Sequence, residues 1–278
     1  MTHTPKFKRS KNFLAVFGLA LLMAFSISCN DDDGDDNLVK ERNIKMDTKQ
    51  EIPTVMNRNE KGTANLKLMK DSSLSFNLTV SNFDATDQLT MAHIHTGSPV
   101  ESGPPIITLV DNSSVKFQGT SASGTLKLNA SQFAAVKDGG NFYVNIHSTK
   151  LPLGLLRGEI DKEMIFAQNV DLTPMTNTLR PETGTAILRM TKDSTLHYKV
   201  SVNNLTTGDI LTAAQINVGQ TGIVGPVVIP LYSGSADYNT AKSLKLTSSQ
   251  ANFLQNMEVY VSVNSQQIAN ELLRGQIR

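Results

Sequence analysis

Apolar and polar residues alternate along most of this chain with a period of two, the pattern of strands that bury one face. Ala64-Asn-Leu-Lys-Leu-Met-Lys puts Ala64, Leu66 and Leu68 on one side. Asp71-Ser-Ser interrupts as a turn, and Leu74-Ser-Phe-Asn-Leu-Thr-Val80 alternates again, which predicts a hairpin. Pro104-Pro-Ile-Ile-Thr-Leu109 predicts a short apolar strand after a Gly-Pro turn. Only Ala130-Ser-Gln-Phe-Ala-Ala-Val136 reads as a short helical turn. Short strands separated by turn signals, with no βαβ spacing, predict antiparallel sandwiches.

The pattern is written twice. Residues 62–109 match those 122 positions later without a gap, so that Gly62-Thr-Ala-Asn-Leu-Lys-Leu returns as Gly184-Thr-Ala-Ile-Leu-Arg-Met. Further on the offset is 117, and Tyr143-Val-Asn-Ile-His147 pairs with Tyr260-Val-Ser-Val-Asn264. Leu155-Leu-Arg-Gly158 pairs with Leu272-Leu-Arg-Gly275. The prediction is an all-β protein of two tandem antiparallel β-sandwich domains of the same topology, spanning residues 46–163 and 164–278. Ala92, Ile94, Val144 and Ile146 are expected in the first core, and Ala214, Ile216, Val261 and Val263 in the second.

The N-terminal end adds an address. Lys6, Lys8, Arg9 and Lys11 precede an apolar stretch over residues 13–28, the layout of a secretory signal peptide over residues 1–28. That run is shorter than the roughly 20 apolar residues a spanning helix needs. The only cysteine, Cys29, stands at its end and has no partner for an internal disulfide. Ser26-Ile-Ser-Cys29 resembles a bacterial lipobox, in which the cysteine is lipidated and becomes the first mature residue; such boxes usually carry Leu three residues before the Cys. The following Asn30-Asp-Asp-Asp-Gly-Asp-Asp36 predicts a solvated acidic tether over residues 29–45. It also resembles the surface-export signal of lipoproteins from Bacteroidota. These features imply a lipid anchor to the membrane at Cys29 and a place at the outer membrane or cell surface. Removing residues 1–28 takes four basic residues and no acidic ones, so the formal charge moves from +1 to −3. Nothing in that balance calls for nucleic acid.

Candidate chemistry gathers in the first copy. In Met91-Ala-His-Ile-His95 the core positions are Ala92 and Ile94, leaving His93 and His95 together on the other face with Cα atoms about 7 Å apart. The same rule puts Tyr143, Asn145 and His147 on the polar face of their strand. If the two strands are neighbours, three histidines converge, which would suit Cu or Zn better than Mg or Ca. The second copy replaces His93, His95 and His147 by Gln215, Asn217 and Asn264, all amides. An amide keeps a donor and an acceptor but is a poor ligand for a transition metal. Three readings stay open: a metal site confined to the first copy, a structural polar network, and a partner-binding patch. Arg157, Gly158 and Tyr143 persist as Arg274, Gly275 and Tyr260, and are read as structural: the glycines for close backbone approach, the arginines for satisfying carbonyls or a carboxylate.

Taken together, Ala92-His-Ile-His95, Gly103-Pro104, Leu126-Lys-Leu-Asn-Ala-Ser-Gln132, Tyr143-Val-Asn-Ile-His147 and Arg157-Gly158 resemble the CHRD domain, a module of extracellular proteins first described in chordin. The second copy shares Gly225-Pro226, the Tyr-Val pair and Leu272-Leu-Arg-Gly-Gln-Ile277. It lacks the motif histidines, and Ala269-Asn-Glu271 stands where the first copy has the family's Pro152-Leu-Gly154. The resemblance implies an extracellular β domain without a catalytic role. The H-x-H strand also looks locally like the copper strand of Cu/Zn superoxide dismutase, but there is no disulfide and no identifiable zinc loop. The chain has no serine nucleophile elbow, phosphate loop or paired carboxylates beside a base. The leading expectation is therefore a membrane-anchored, non-enzymatic binding or structural module with no cofactor and an extracellular protein or glycan partner. The alternative is a Cu or Zn protein using His93, His95 and His147, with metal-dependent redox activity as its enzymatic form.

Overall fold

The computed structural model describes residues 37–111, 113–175 and 179–278. Signal peptide, Cys29 and the aspartate run lie outside the described residues.

The first domain runs β1 (Leu38–Asp47), β2 (Lys61–Met69), β3 (Ser73–Ser81), β4 (Leu89–Thr96), β5 (Pro105–Val110), β6 (Ser121–Lys127), α1 (Ala130–Asp138), β7 (Phe142–Ser148) and β8 (Leu156–Glu159). The second runs β9 (Met164–Pro174), β10 (Thr183–Thr191), β11 (Thr195–Asn203), β12 (Leu211–Val218), β13 (Val227–Tyr232), β14 (Lys242–Lys245), α2 (Ser248–Asn256), β15 (Val259–Ser265) and β16 (Leu273–Gln276). Strand order is β5-β4-β7-β8-β1-β2-β3-β6 in the first and β13-β12-β15-β16-β9-β10-β11-β14 in the second, all neighbours antiparallel. The orders correspond strand for strand, so the two domains share one topology. Each sandwich is a single eight-stranded sheet folded over, because its four-stranded halves are joined where β8 meets β1 and β16 meets β9.

Period-two burial explains the cores. Along β2, Gly62, Ala64, Leu66 and Leu68 point inward, and along β3 so do Leu74, Phe76, Leu78 and Val80. Ala92, Ile94, Val144 and Ile146 are fully buried in the first core, and Ala214, Ile216, Val261 and Val263 in the second. The two hairpin turns are built alike. Ser72 and Ser194 take left-handed φ values of 66° and 65°, and the Asp71 and Asp193 carboxylates accept from Lys127 on β6 and Lys245 on β14, the strands beside each hairpin. Helices α1 and α2 each start with a capping box, from Asn129 with Gln132 and from Thr247 with Gln250.

A buried ion network is duplicated as well. Arg58 bridges Glu60 at 2.6 Å and Asp87 at 2.9 Å, and Ser148 donates to Asp87 at 2.7 Å. Arg180, Glu182, Asp209 and Ser265 repeat it in the second domain. These groups tie the start of β2 or β10 to the loop before β4 or β12 and to the end of β7 or β15.

Strand β1 takes in residues 38–45, which were expected in the acidic tether. Its inward positions are Arg42, Ile44 and Met46. Arg42 sits at a core position only because Asp161 receives it at 2.8 and 2.9 Å and the Lys137 carbonyl at 3.2 Å, so charge hides the alternation. Strand β9 plays the same part in the second domain, burying Phe166, Val170 and Leu172.

Gly158 and Gly275 sit where the halves meet. A Cβ on Gly158 would lie 2.6 Å from the Lys45 carbonyl oxygen, and one on Gly275 2.4 Å from that of Asp171. The obstacle is backbone, which cannot swing aside. Gly158→Ala is therefore expected to destabilise the protein by about 1–3 kcal/mol, the range for overpacking a filled site, read as a lower denaturation midpoint. An exposed control such as Gly208→Ala, whose Cβ would meet nothing within 4 Å, pays only for its φ of +83°. A Gly158→Ala midpoint equal to the wild type's would contradict the close-approach account.

Candidate metal centre

The three histidines stand on neighbouring strands. β4 pairs with β7 so that His93 faces Asn145 and His95 faces Tyr143. His147 lies one step further along β7 and brings its ring beside that of His93. One ligand atom from each of His93, His95 and His147 falls within 4.8 Å of the other two; among the described residues no other group of three or more His, Cys, Asp or Glu side chains meets this condition. The face is not open to water along its length. β7 is buried on both sides, one by the core and the other by loops 48–52, 97–104 and 149–154. His93 and His95 are half-buried, and His147 is buried.

Backbone carbonyls set the protonation of two rings. His95 Nδ1 lies 2.9 Å from the Gly103 carbonyl and His147 Nδ1 lies 3.0 Å from the Pro152 carbonyl. A carbonyl can only accept, so both Nδ1 atoms carry the proton, and in the neutral rings both Nε2 atoms present a lone pair. His147 Nε2 meets His93 Nδ1 at 3.1 Å. His95 Nε2 is buried and has no hydrogen-bond partner. In a tetrahedral site with metal–nitrogen bonds of about 2.0–2.1 Å, ligand nitrogens stand about 3.3 Å apart. The His93–His147 pair is already near that spacing, and the widest pair has to close by roughly 1.5 Å.

All three imidazoles are held below their ordinary range, chiefly by burial. His93 is lowered further by His95, and His95 by the Arg157 guanidinium, against a raising contact with the Gly103 carbonyl. His147 falls to about 4, from burial and then from His93.

The motif residues around the cluster are a scaffold for the loops. Arg157 stacks over Tyr143 with its guanidinium carbon 3.6 Å from the ring centre, and Tyr143 stacks on His95 at 5.1 Å and 16°. Arg157 donates to the Ser98 and Glu101 carbonyls at 2.7 and 3.2 Å and to Glu159 at 2.7 Å. Arg274 sits 3.4 Å over Tyr260 and holds the Gln220 and Ile223 carbonyls at 2.6 and 3.0 Å. Thus Tyr143, Arg157 and Gly158, with Tyr260, Arg274 and Gly275, serve the fold in both copies.

Glu51 is the site residue that nothing in the sequence singled out. It is 1% exposed, it accepts from Asn145 Nδ2 at 3.0 and 3.3 Å, and burial pushes its carboxyl up to about 7 against the pull of Arg157 and Asn145. Its Oε2 fills the space beside Gly154, where a Cβ would lie 2.4 Å away. The second domain has Glu271 at the position of Gly154. That residue supplies a carboxylate itself, accepting from Tyr260 Oη at 2.6 Å and from Arg274 at 3.4 Å. The loss of the Pro-x-Gly in the second copy is thus a change in where the buried carboxylate comes from.

The three amides of the second copy occupy corresponding places on β12 and β15, but among the described residues no hydrogen bond joins them to one another. Asn217 donates to the Gly225 carbonyl at 3.0 Å, as His95 does to Gly103, and accepts from Ser262 at 3.0 Å. Asn264 accepts from the Glu271 backbone N–H at 3.0 Å. The shared feature is the tie to the loop.

The family profile of the CHRD domain matches residues 43–160 and 166–277. The chain belongs to the CHRD domain family, with two tandem copies of the domain. No curated protein and no solved structure matches it.

The depressed His147 imidazole makes a test by pH. Between about 6.5 and about 4 the unfolded chain binds a proton at His147 that the folded chain does not, so stability should fall as pH drops through that window. Ring NMR of the metal-free protein should show His147 neutral at pH 6 with the proton on Nδ1. A His147 that titrates at an ordinary 6.5 would overturn the buried, carbonyl-tied arrangement.

Proposed function

We propose that this protein is an extracytoplasmic, lipid-anchored, non-enzymatic binding protein whose first CHRD domain takes one Cu or Zn ion on His93, His95 and His147. Of the readings left open by the sequence, the geometry favours the metal site. The observation that carries it is His95 Nε2. A structural network would satisfy that nitrogen, whereas here it is buried, unpartnered and turned to the cluster while Nδ1 is committed to Gly103. Metal-binding histidines are oriented in this way, with the second ring nitrogen donating to a carbonyl. On binding, His93 would shift its proton from Nδ1 to Nε2 and free the third lone pair. Three imidazoles without a thiolate or carboxylate suit Cu or Zn. The second domain, with Gln215, Asn217 and Asn264, is a partner of the same build without the ligand set.

Purified mature protein should bind one equivalent of Cu²⁺ or Zn²⁺ at micromolar or tighter affinity, and His147→Asn should abolish it. Because all three rings resist protonation, binding should persist below pH 6 and disappear toward pH 4. Absence of metal uptake by the wild type, with either ion, refutes the assignment.

Anchoring rests on Cys29 and the apolar run before it. Cys29→Ala should abolish fatty-acid labelling and release the protein from the membrane fraction. Wild-type protein that takes up no label, and a variant that stays with the membrane, would end the lipoprotein reading.

A further inference from the structure

Residues 48–51 belong to both domains. Asp47, the last residue of β1, caps a short 3-10 turn over Thr48–Gln50, and Glu51 follows. The backbone of this turn faces the second domain. Arg189 of β10 donates through Nη2 to the carbonyls of Gln50 at 3.1 Å and Glu51 at 3.3 Å. Asn169 of β9 donates to the same Glu51 carbonyl at 2.8 Å. Arg189 Nη2 also reaches Asn169 Oδ1 at 2.8 Å, so guanidinium and amide act as one clamp. The Glu51 side chain turns the other way, into the first domain, where it holds Asn145 and packs against Gly154.

Asn145 is the cross-strand partner of His93 and stands two residues from His147 on the same face of β7. Gly154 closes the loop whose Pro152 carbonyl fixes the His147 proton. A continuous line of short contacts therefore runs from the second domain to the histidines. It passes through Arg189 and Asn169, the Glu51 backbone, the Glu51 carboxylate, and then Asn145 and the loop 149–154.

The repeat shows that this clamp is special to the seam. The first-copy counterpart of Arg189 is Lys67, which is exposed and makes a loose 3.6 Å pair with Glu41. Arg189 is 1% exposed. Burying a guanidinium is costly unless its donors are met. Here Nη1 donates to the Gln168 and Leu188 carbonyls at 2.9 Å each and Nη2 meets the turn, while the buried Nε has no partner. The outer face of β10, free in the first copy, has been committed to holding its neighbour. Two surface pairs flank the seam, Lys45 with Glu163 at 2.6 Å and Lys199 with Glu101 at 3.1 Å.

We propose that the second domain is a holding frame for the histidine site of the first: Arg189 and Asn169 fix the Gln50–Glu51 backbone and so aim the Glu51 carboxylate at Asn145, beside His93 and His147. Arg189, Asn169 and Glu51 are positioning residues and touch no ligand nitrogen. The affinity arm of the test rests on the metal reading; the spectroscopic arm does not.

The experiment uses the whole mature chain, with Zn²⁺ as the probe and ring ¹H–¹⁵N NMR of the metal-free protein as the second readout. Asn169→Ala, Arg189→Gln and Glu51→Ala should each weaken Zn²⁺ binding about 10-fold or more, the scale of lost outer support at metal sites. Each should also move the His93 and His147 ring resonances. Arg189→Lys should restore part of both. Glu51→Ala combined with Arg189→Gln should cost little more than either alone, because they act on one line. Asn217→Ala, in the second domain and away from the seam, should change neither readout. Folded Asn169→Ala protein with unchanged Zn²⁺ affinity and unchanged ring resonances would overturn the proposal, and that half-buried variant decides even if Arg189→Gln fails to fold. If the wild type binds no Zn²⁺, the metal reading falls and the ring resonances alone decide whether the frame exists.

Discussion

At Gly158 the backbone of β8 runs so close to β1 that no side chain fits between them, and most of what surrounds the histidines follows from that approach. It sets Asp47 opposite Arg157, which turns the sheet over and brings residues 48–51 in beneath β7. With the turn in place, Glu51 reaches Asn145. With Arg157 in place, its guanidinium covers Tyr143 and gathers loop 97–103 through two carbonyls. That loop supplies the Gly103 carbonyl which fixes His95. A dipeptide, Arg157-Gly158, thus closes the sheet with one residue and organises the site with the other, and Arg274-Gly275 does the same work where there is no histidine to organise.

The two copies show which parts of this arrangement the fold requires. The arginine on the tyrosine, the carbonyls it holds, the glycine at the junction and the buried Arg-Glu-Asp-Ser network are present twice. A carboxylate on the arginine is also present twice, but it comes from different chain positions, from Glu159 to Arg157 and from Glu271 to Arg274. Such a switch is physically natural: what the buried guanidinium and its neighbours need is a nearby acceptor charge, and the chain position that supplies it is free to move. The histidines are the part that changed kind. Amides keep the tie between strand and loop, as Asn217 shows at Gly225, and give up the unsaturated nitrogen lone pairs that a metal would use.

Much of the fold was legible because a sheet writes its burial into alternate residues. The core placement of Ala92, Ile94, Val144 and Ile146 followed from that rule, and so did the grouping of His93 with His95 and of Asn145 with His147. Elements whose inward positions carry charge escaped it. In β1 the inward Arg42 depends on Asp161, 119 residues away, and alternation cannot register a partner so distant. Glu51 escaped for a related reason, since its partner Asn145 lies 94 residues on. The polar face of β7 was legible as polar, but not that loops bury it; loop packing leaves no periodic trace in sequence. The three histidines were legible as a group, but their protonation was not, because it depends on the carbonyls of Gly103 and Pro152, which any residue type could offer.

The charge around the histidines bears on what kind of ion they can hold. The cluster contains no anionic side chain; the buried carboxylate of Glu51 is separated from it by Asn145, and the Arg157 guanidinium lies behind Tyr143. Neutral nitrogens in partial burial do not attract hard, oxygen-seeking cations such as Mg²⁺ or Ca²⁺, which need carboxylates. They favour ions that bond well to imidazole. The same absence of negative charge keeps the rings neutral in acid, since a proton is also a cation and is disfavoured by burial and by Arg157 alike. Imidazoles held neutral in this way keep their lone pairs over a wider pH range than free histidines do, and that neutrality depends on the loops and turn that keep water out. Those in turn are anchored at Arg157 on one side and, through Glu51, at the second domain on the other.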